Sequence, residues 1–284
     1  MASQITTRLD LLQAYFSSLR NFSFSFTNML INGVVKLPCT RIGPRFIESI
    51  TASEDAEFLL IKIKSIEMPL YWPYVLPLFD LYKVVTESFY SLDWHFYEVP
   101  ETQVEAGDTV LDCGAAEGIF SLRVQAKAES VVAFEPLPIF GKSLHKTFAN
   151  CSNVTVVSCA LGDTEGEAYL KGGSLYGSVT SEKSGSPIYI TTVDRWADTT
   201  GRSVQYIKGD LEGFELNVLK GAAETIQRYK PKIALTVYHP GNDWQEILAY
   251  LQRLVPDYQY RIKGISYNEA YPRPIMLHCW RAQN

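Results

Sequence analysis

Carboxylates and glycines follow two apolar, β-branched runs in the middle of the chain. Asp112 and Gly114 close the run 109–113, and Glu135 directly follows the run 130–134. Such runs predict parallel strands, and a ligand binds an open parallel sheet outside the carboxyl ends of its strands. We therefore expect these side chains to meet one ligand at the same edge of a sheet.

The turn after the first predicted strand is built from small residues, among them Gly114, Ala115 and Gly118. Glycines let a ligand approach the backbone, and the following helix directs free N–H groups into the same space. The order D-x-G-x-x-x-G lacks the middle glycine of the nicotinamide-binding turn and places Asp112 before the first glycine. A carboxylate there suits a ligand with an amine or a sulfonium better than one with a pyrophosphate.

The next two strand ends also carry acids. Glu135, which Pro136 follows, could accept hydrogen bonds from both hydroxyls of a ribose, or it could be a solvated strand-end residue. After the third predicted strand come Ala160, Leu161 and Asp163, whose carboxylate could receive the amino group of an adenine or occupy an ordinary polar turn. Three successive strand ends with acids and small residues favour a nucleoside ligand.

Candidate catalytic residues follow the fourth and fifth predicted strands. Asp210 and Glu212 could position an acceptor, remove its proton or hold a hard cation, or they could pair with Lys208 or Lys220 near a helix start. His239 is the candidate base for a hydroxyl, or it is a turn residue before Pro-Gly. Two carboxylates are too few for a dedicated metal cage, so we predict no metal site, with Mg²⁺ as the less favoured alternative.

Strands and helices alternate from residue 108 onward, which predicts a doubly wound α/β fold. Strands are predicted at 109–113, 130–134, 154–158, 204–208 and 232–238. Helices are predicted at 119–127, 139–149, 216–229 and 243–254. The last two predicted strands, 258–262 and 275–280, are joined without a crossover helix and suit an antiparallel pair.

Residues 1–100 are predicted to form a mostly helical, aromatic N-terminal region, and residues 101–284 the α/β domain. Apolar residues recur at helical spacing over 9–19, 58–66 and 78–89. This region could form one wall of an acceptor pocket or an interface, including that of a homodimer. The alternating aromatics of 22–26 suit a buried edge better than a membrane surface, and the Gly- and Ser-rich segment 171–187 is a candidate lid.

Charge and cysteine content narrow the class further. The net charge is −5 with scattered basic residues, which argues against a nucleic-acid partner. The five cysteines have neither disulfide-framework nor metal-ligand spacing, which favours a reduced, cytoplasmic protein. No secretory signal or membrane-spanning segment is expected, and no membrane partner.

The ordered set of motifs resembles the FkbM methyltransferase family. The set comprises D-C-G-A at 112–115 with Gly118, F-E-P at 134–136, A-L-G-D at 160–163, K-G-D-L-E-G-F-E at 208–215 and L-K-G-A at 219–222. Each motif is weak alone, but their order and spacing are specific. The sequence departs from the family pattern at Ala116, commonly Asn, and at Gly209, commonly apolar.

The resemblance implies a class I methyltransferase with a Rossmann-like seven-stranded sheet whose last strand is antiparallel. It implies S-adenosylmethionine as cofactor and S-adenosylhomocysteine as product. By the match, Asp112, Gly114 and Gly118 would line the methionine part, Glu135 the ribose and Asp163 the adenine. It further implies O-methylation, so the expected acceptor is a hydroxyl on a small molecule such as a sugar or natural product.

Two other functions are consistent with parts of this pattern. A nicotinamide-dependent dehydrogenase could use Glu135 to bind the NAD ribose, although the missing middle glycine argues against it. A non-catalytic protein that binds S-adenosylmethionine, or serves in assembly, could retain the fold and use its N-terminal aromatics as an interface.

Overall fold

The computed structural model describes residues 30, 38–171, 178–180, 186–266 and 273–282. The elements are, in chain order, α1 (Cys39–Ile42), β1 (Ile47–Ala52), β2 (Phe58–Ile63), β3 (Leu70–Pro73), α2 (Leu78–Phe89), β4 (Thr109–Cys113), α3 (Ile119–Val124), β5 (Ser130–Phe134), α4 (Pro138–Thr147), β6 (Val154–Val157), β7 (Ala160–Leu161), β8 (Gly166–Lys171), β9 (Ser178–Thr180), β10 (Ser186–Thr191), α5 (Val193–Thr200), β11 (Tyr206–Gly209), α6 (Glu215–Lys220), α7 (Ala223–Tyr229), β12 (Lys232–Thr236), α8 (Trp244–Leu254), β13 (Tyr258–Ser266) and β14 (Arg273–Arg281). Short 3₁₀ helices lie at Gly43–Arg45 and Pro100–Thr102.

A seven-stranded sheet with the order β13-β14-β12-β11-β4-β5-β6 forms the centre of the protein. Strand β4 lies between β11 and β5 and pairs with both in parallel. The last strand, β14, pairs antiparallel with β12 and with β13. The predicted Rossmann-like sheet with an antiparallel last strand is confirmed.

Alternate residues of β4 enter different apolar clusters, as expected for a strand that is covered on both faces. Leu111 packs in one cluster with Val218 and Ile226 from α6 and α7. Val110 packs in another with Phe120 of α3. The sheet is therefore doubly wound, and its strand ends are held by helices on both sides.

Most elements predicted from residue 108 onward are confirmed, with one helix divided. The predicted helix 216–229 is two helices, α6 and α7, interrupted near Gly221. At this break the carbonyl of Gly221 accepts a hydrogen bond of 2.9 Å from the backbone N–H of Asp194, at the start of α5. The break in the regular helix leaves the Gly221 carbonyl free to bind the start of α5.

The N-terminal region differs from its prediction. Helix α2 matches the predicted 78–89, but the predicted helix at 58–66 is wrong, because β2 is the central strand of a three-stranded antiparallel sheet, β1-β2-β3. Apolar residues lie close together in this segment and fit a helical spacing as well as a strand. The β-branched Ile61 and Ile63 favour a strand, and both are buried on one side of it.

Several predicted features lie outside the described residues, namely the helix at 9–19, the aromatic stretch at 22–26 and much of the candidate lid. The described parts of the segment 171–187 belong to a small sheet with the order β7-β10-β8-β9, which the sequence analysis did not predict. The lid role stays a prediction. None of the helices in the described part of the chain is long and apolar enough to cross a membrane.

The small N-terminal sheet and α2 pack directly on the α/β unit. Trp72 and Leu81 share an apolar cluster with Leu144 of α4. The backbone N–H of Tyr71 also donates a hydrogen bond of 3.0 Å to Thr147 Oγ1. This packing brings α2 to the carboxyl edge of the central sheet.

Candidate active site

A cleft with a cavity volume of about 280 Å³ opens at the carboxyl ends of β4, β5 and β11. Helix α2 contributes Val84, Glu87 and Ser88 to its wall, and Tyr97 comes from the segment after it. Nine of the predicted site residues line the cleft: Gly114, Ala115, Glu135, Pro136, Ala160, Leu161, Asp163, Asp210 and Glu212. Most of the predicted site residues, which lie in distant segments of the chain, thus line one cleft.

Gly114 forms the turn at the end of β4 in a left-handed conformation, with φ of 75°. A Cβ atom at this position would clash with the backbone carbonyl oxygen of Asp210. The N–H groups of Gly114 and Ala115 both donate to the carbonyl of Phe134, at 3.1 and 3.0 Å. The turn is thus held against the ends of both β5 and β11.

Glu135 lines the cleft at the end of β5 and is buried. Its carboxylate accepts hydrogen bonds of 2.8 Å from the backbone N–H groups of Ala116 and Leu137. Burial raises the pKa of Glu135 to about 7, although these two hydrogen bonds oppose the shift. Each carboxylate oxygen retains a lone pair, so the side chain can still accept hydrogen bonds from a diol.

Asp112 does not line the cleft, contrary to its predicted contact with the methionine part. Its side chain is fully buried beneath the glycine turn, where Oδ1 lies 2.9 Å from Lys208 Nζ and Oδ2 accepts a hydrogen bond of 2.7 Å from Ser121. Lys208 in turn donates a hydrogen bond of 2.7 Å to the carbonyl of Gly114. Asp112 therefore supports the turn from below.

Gly118 also lies behind the cleft surface. It begins α3 with φ of 89°, and a Cβ atom there would lie 2.5 Å from Leu144 Cδ2. Its predicted cofactor contact has no counterpart in the cleft lining. The glycine instead lets α3 pack closely on α4.

Asp210 connects the cleft to a buried polar group behind it. Its Oδ2 accepts a hydrogen bond of 2.6 Å from the Tyr97 hydroxyl, and its Oδ1 one of 3.1 Å from Thr236. Burial opposes its ionisation, but the charges of His95, Lys208 and His239, with the Tyr97 hydrogen bond, lower the pKa of Asp210 to about 2. The residue is a carboxylate throughout the physiological range.

His239 is buried behind Asp210 and Glu212 and lies at the site without lining the cleft surface. Its Nε2 atom is 3.4 Å from Glu212 Oε2 and 3.7 Å from Asp210 Oδ1. Its Nδ1 atom is 3.1 Å from Glu215 Oε1, so the carboxylate favours a proton on Nδ1. Burial lowers the pKa of His239, but the Glu215 hydrogen bond and the charges of Asp210, Glu215 and Glu212 outweigh it and raise the pKa.

Sequence reasoning missed the role of Glu215, which orients His239. Its side chain is fully buried and accepts hydrogen bonds from the backbone N–H groups of Leu211 and Gly213, at 3.1 and 3.0 Å, and from Asn242 at 2.7 Å. These bonds hold the loop between β11 and α6. Glu215 lies three positions after Glu212 at the start of a helix, where acidic residues are common. The sequence therefore contains no sign that its side chain is buried.

Ligand atoms of Asp210, Glu212 and His239 lie within 4.8 Å of one another, as a divalent cation site would require. The same spacing also suits direct electrostatic contacts of His239 with the two carboxylates. Metal binding stays the less favoured prediction.

His95 packs edge-on against Tyr97 and Tyr238, with ring centroids 5.2 and 5.7 Å apart. The ring also reaches the site, because its Nε2 lies 3.9 Å from Asp210 Oδ2.

Two further acids in the cleft, Glu87 and Glu117, were not singled out from the sequence. Burial raises the pKa of Glu87, and it raises that of Glu117 to about 7. Glu87 comes from α2, which has no counterpart in the motifs, and Glu117 stands between residues that the motif singles out. Glu87 and Glu117 line the same cleft because α2 packs near the glycine turn.

The sheet order and the acid-lined glycine turn together define a Rossmann-like methyltransferase fold. The model of the "Methyltransferase FkbM domain" matches residues 112–262, more than half of the chain, and the chain belongs to this family. A search of curated proteins found no match.

Solved structures of methyltransferases are similar in fold. A methyltransferase FkbM from Methylobacillus flagellatus KT is 22% identical with a TM-score of 0.49, and the match covers 72% of this chain and 54% of that one. The match thus spans about half of that structure's length. An rRNA methylase from Streptococcus thermophilus is 10% identical with a TM-score of 0.41, over 63% of this chain and 90% of that one. A Streptococcus mutans protein assigned as a methyltransferase and solved in complex with SAH is 11% identical, with a TM-score of 0.41 over 63% of this chain and 91% of that one.

Proposed function

We propose that the protein is an S-adenosylmethionine-dependent O-methyltransferase that acts on a hydroxyl of a small molecule. The observation that carries the proposal is the placement of the Gly114 turn, Glu135 and Asp163 in one cleft of an FkbM domain. When bound, S-adenosylmethionine supplies an electrophilic methyl group on a sulfonium. The protein must bind this cofactor, orient the acceptor and manage the hydroxyl proton.

The residues of the cleft fit such a cofactor. Glu135 retains acceptor capacity for the ribose hydroxyls, and its two backbone hydrogen bonds fix its orientation. Asp163 is exposed at the far end of the cleft, where it can accept from an adenine amino group. At the end of β4, next to the strand that carries Glu135, the absence of a side chain at Gly114 leaves backbone surface open to the ligand.

Charge supports an uncharged or cationic acceptor. Among the described residues, one amine, that of Lys208, and six carboxyl side chains line the cleft: Glu87, Glu117, Glu135, Asp163, Asp210 and Glu212. A phosphate or carboxylate on the acceptor would be repelled in such a site. A sugar or another polyhydroxylated natural product meets this condition, and a nucleic acid does not.

In this proposal Asp210 orients the acceptor and His239 removes its proton. With its pKa near 2, Asp210 is a weak base and serves as a hydrogen-bond acceptor that orients the hydroxyl. His239 is the proton acceptor, with Nε2 directed at Asp210 and Glu212, and Glu215 stabilises the imidazolium that results. Orientation of the acceptor can contribute on the order of 7–11 kcal/mol to the rate.

Calorimetric titration of the full chain with S-adenosylhomocysteine and, separately, NADH tests the cofactor. We expect saturable binding of S-adenosylhomocysteine and none of NADH. Replacing Glu135 with Ala should weaken the binding about tenfold or more, because charged hydrogen bonds to the ribose are lost. Binding of NADH alone would replace the proposal with a dehydrogenase.

Incubation with radiolabelled S-adenosylmethionine and fractionated small molecules tests the reaction itself. Label should appear in a hydroxylated product as a base-stable methyl ether, and the His239→Gln variant should produce it slowly while it keeps its affinity for S-adenosylhomocysteine. Cofactor binding without transfer to any fraction would support a non-catalytic role instead.

A further inference from the structure

The carboxylate expected to meet the methionine part of the cofactor is engaged elsewhere. Asp112 is fully buried, ion-paired with Lys208 and hydrogen-bonded by Ser121. Releasing it toward the cleft would separate the buried Lys208 ammonium from the carboxylate that pairs with it, which is unfavourable. Another group must therefore receive the positive charge of a ligand at this turn.

Glu117 stands in the right place for that role. It belongs to the same turn, between Ala116 and Gly118, and it lines the cleft although only 6% of its surface is exposed. Its carboxylate accepts a hydrogen bond from its own backbone N–H. Among the described residues it forms no ion pair, so its carboxylate is available to a ligand in the cleft that it lines.

The groups near Glu117 in the described part of the chain do not neutralise it. Glu87 of α2 also lines the cleft, and its charge disfavours ionisation of Glu117. The amine of Lys208 also lines the cleft, but it is already bound to Asp112 and to the carbonyl of Gly114. A buried carboxylate in such a position is stabilised by a cation that can donate hydrogen bonds.

We propose that Glu117 binds the α-ammonium group of the methionine part of S-adenosylmethionine. The ammonium group, unlike the sulfonium, carries N–H donors for the carboxylate lone pairs. The assignment rests on the proposed function, since it presumes that the cleft takes this cofactor. It makes Glu117 the recognition residue of the amino-acid end, as Glu135 is of the ribose.

The test compares two ligands that differ in the amino-acid end. S-adenosylhomocysteine carries the ammonium, and 5′-methylthioadenosine has the same nucleoside and sulfur without it. Calorimetry on the Glu117→Gln variant should give an affinity for S-adenosylhomocysteine at least tenfold weaker than wild type, and an unchanged affinity for 5′-methylthioadenosine. The Glu135→Gln variant should weaken both ligands. The exposed Glu129→Gln variant, which removes a like charge outside the cleft, should weaken neither.

Each other outcome has a definite meaning. If wild type binds S-adenosylhomocysteine and Glu117→Gln binds it equally well, the assignment of Glu117 is overturned while the proposed function stands. Equal weakening of both ligands in Glu117→Gln would also overturn it, because the residue would then support the nucleoside or the turn. If wild type binds neither ligand, the proposed function fails. Thermal unfolding of each variant verifies its fold, and Glu117→Ala provides a second variant with the same expected pattern.

Discussion

At the scale of single residues, the acids of the site differ more in their surroundings than in their chemistry. Asp112 is neutralised by a buried lysine, Asp210 is kept ionised by two histidines and Lys208, and Glu135 has a raised pKa because burial dominates. Position alone therefore does not assign a role to a carboxylate at a strand end. The partners that surround it do.

His239 provides a direct test of this electrostatic arrangement. Its pKa is raised above the ordinary value of 6.5, so its imidazole should titrate above that value. The chain has four histidines, so each imidazole can be followed by NMR, and the signal lost in His239→Gln identifies this one. A midpoint below 6.5 would contradict the dominance of the three neighbouring carboxylates.

The raised pKa of His239 also makes the stability of the folded protein depend on pH in a defined direction. A group whose pKa is raised on folding stabilises the folded state fully below its unfolded pKa and loses that contribution as pH rises through the folded pKa. The unfolding free energy of wild type relative to His239→Gln should therefore be larger at about pH 6 than at about pH 9. Denaturant unfolding at both values measures the difference, and equal differences would indicate no shift.

The limits of sequence reasoning are visible in these residues. Glu135, Asp163, Asp210 and Glu212 could be placed in one site because strand ends meet at one sheet edge. The contact of Lys208 with Asp112 could not be predicted from the sequence. That contact joins neighbouring strands β4 and β11, and side-chain direction follows from packing rather than from a motif.

At the scale of elements, the β4–α3 turn is closely confined by its neighbours. It is bounded below by Lys208 and at its side by the backbone of Asp210. Motif spacing identified the turn correctly. The two-helix division of 215–229 and the small sheet β7-β10-β8-β9 were not predicted, since both depend on contacts between distant segments.

Two glycine substitutions distinguish backbone strain from steric conflict. Gly114 lies in this turn, and Gly107 precedes β4. Gly114 and Gly107 both have φ in the left-handed region, 75° and 91°, but only Gly114 would place its Cβ against backbone. Gly107→Ala should cost about 1–2 kcal/mol of unfolding free energy from backbone strain alone. Gly114→Ala should cost about 1–3 kcal/mol more and should weaken S-adenosylhomocysteine binding, whereas Gly107→Ala should not. Denaturant unfolding and calorimetry measure both, and similar results for the two variants would show that the approach of Asp210 is unimportant.

At the scale of the whole molecule, the N-terminal region and the α/β unit share a core. Trp72, Leu81 and Val85 pack in one cluster with Leu144 and Phe148 of the α/β unit. Helix α2 also supplies part of the cleft wall. The predicted boundary near residue 100 therefore crosses a packed apolar interface, and the boundary itself stays a prediction.

This shared core predicts the behaviour of a truncated chain. Residues 101–284 alone would expose the apolar face of α4 that the N-terminal region now covers, and they would lack Glu87 and Tyr97 at the cleft. We expect this fragment to aggregate or to unfold well below the full chain, and not to bind S-adenosylhomocysteine. Thermal unfolding and calorimetry of both proteins provide the comparison. A stable fragment with full affinity would establish the α/β unit as independent.

The ion pair between Lys208 and Asp112 has a chemical consequence under the proposed function, in which the cleft holds a methyl donor. Burial lowers the pKa of Lys208, but the charges of Asp112 and Asp210 outweigh it and raise the pKa, so the amine stays protonated and has no lone pair to offer. Burial likewise raises the pKa of Cys159, another residue of the cleft wall, to about 11, which keeps its sulfur as the unreactive thiol. Lys208 and Cys159 therefore offer no free nucleophile to the cleft, which under the proposed function would protect these two side chains from methylation.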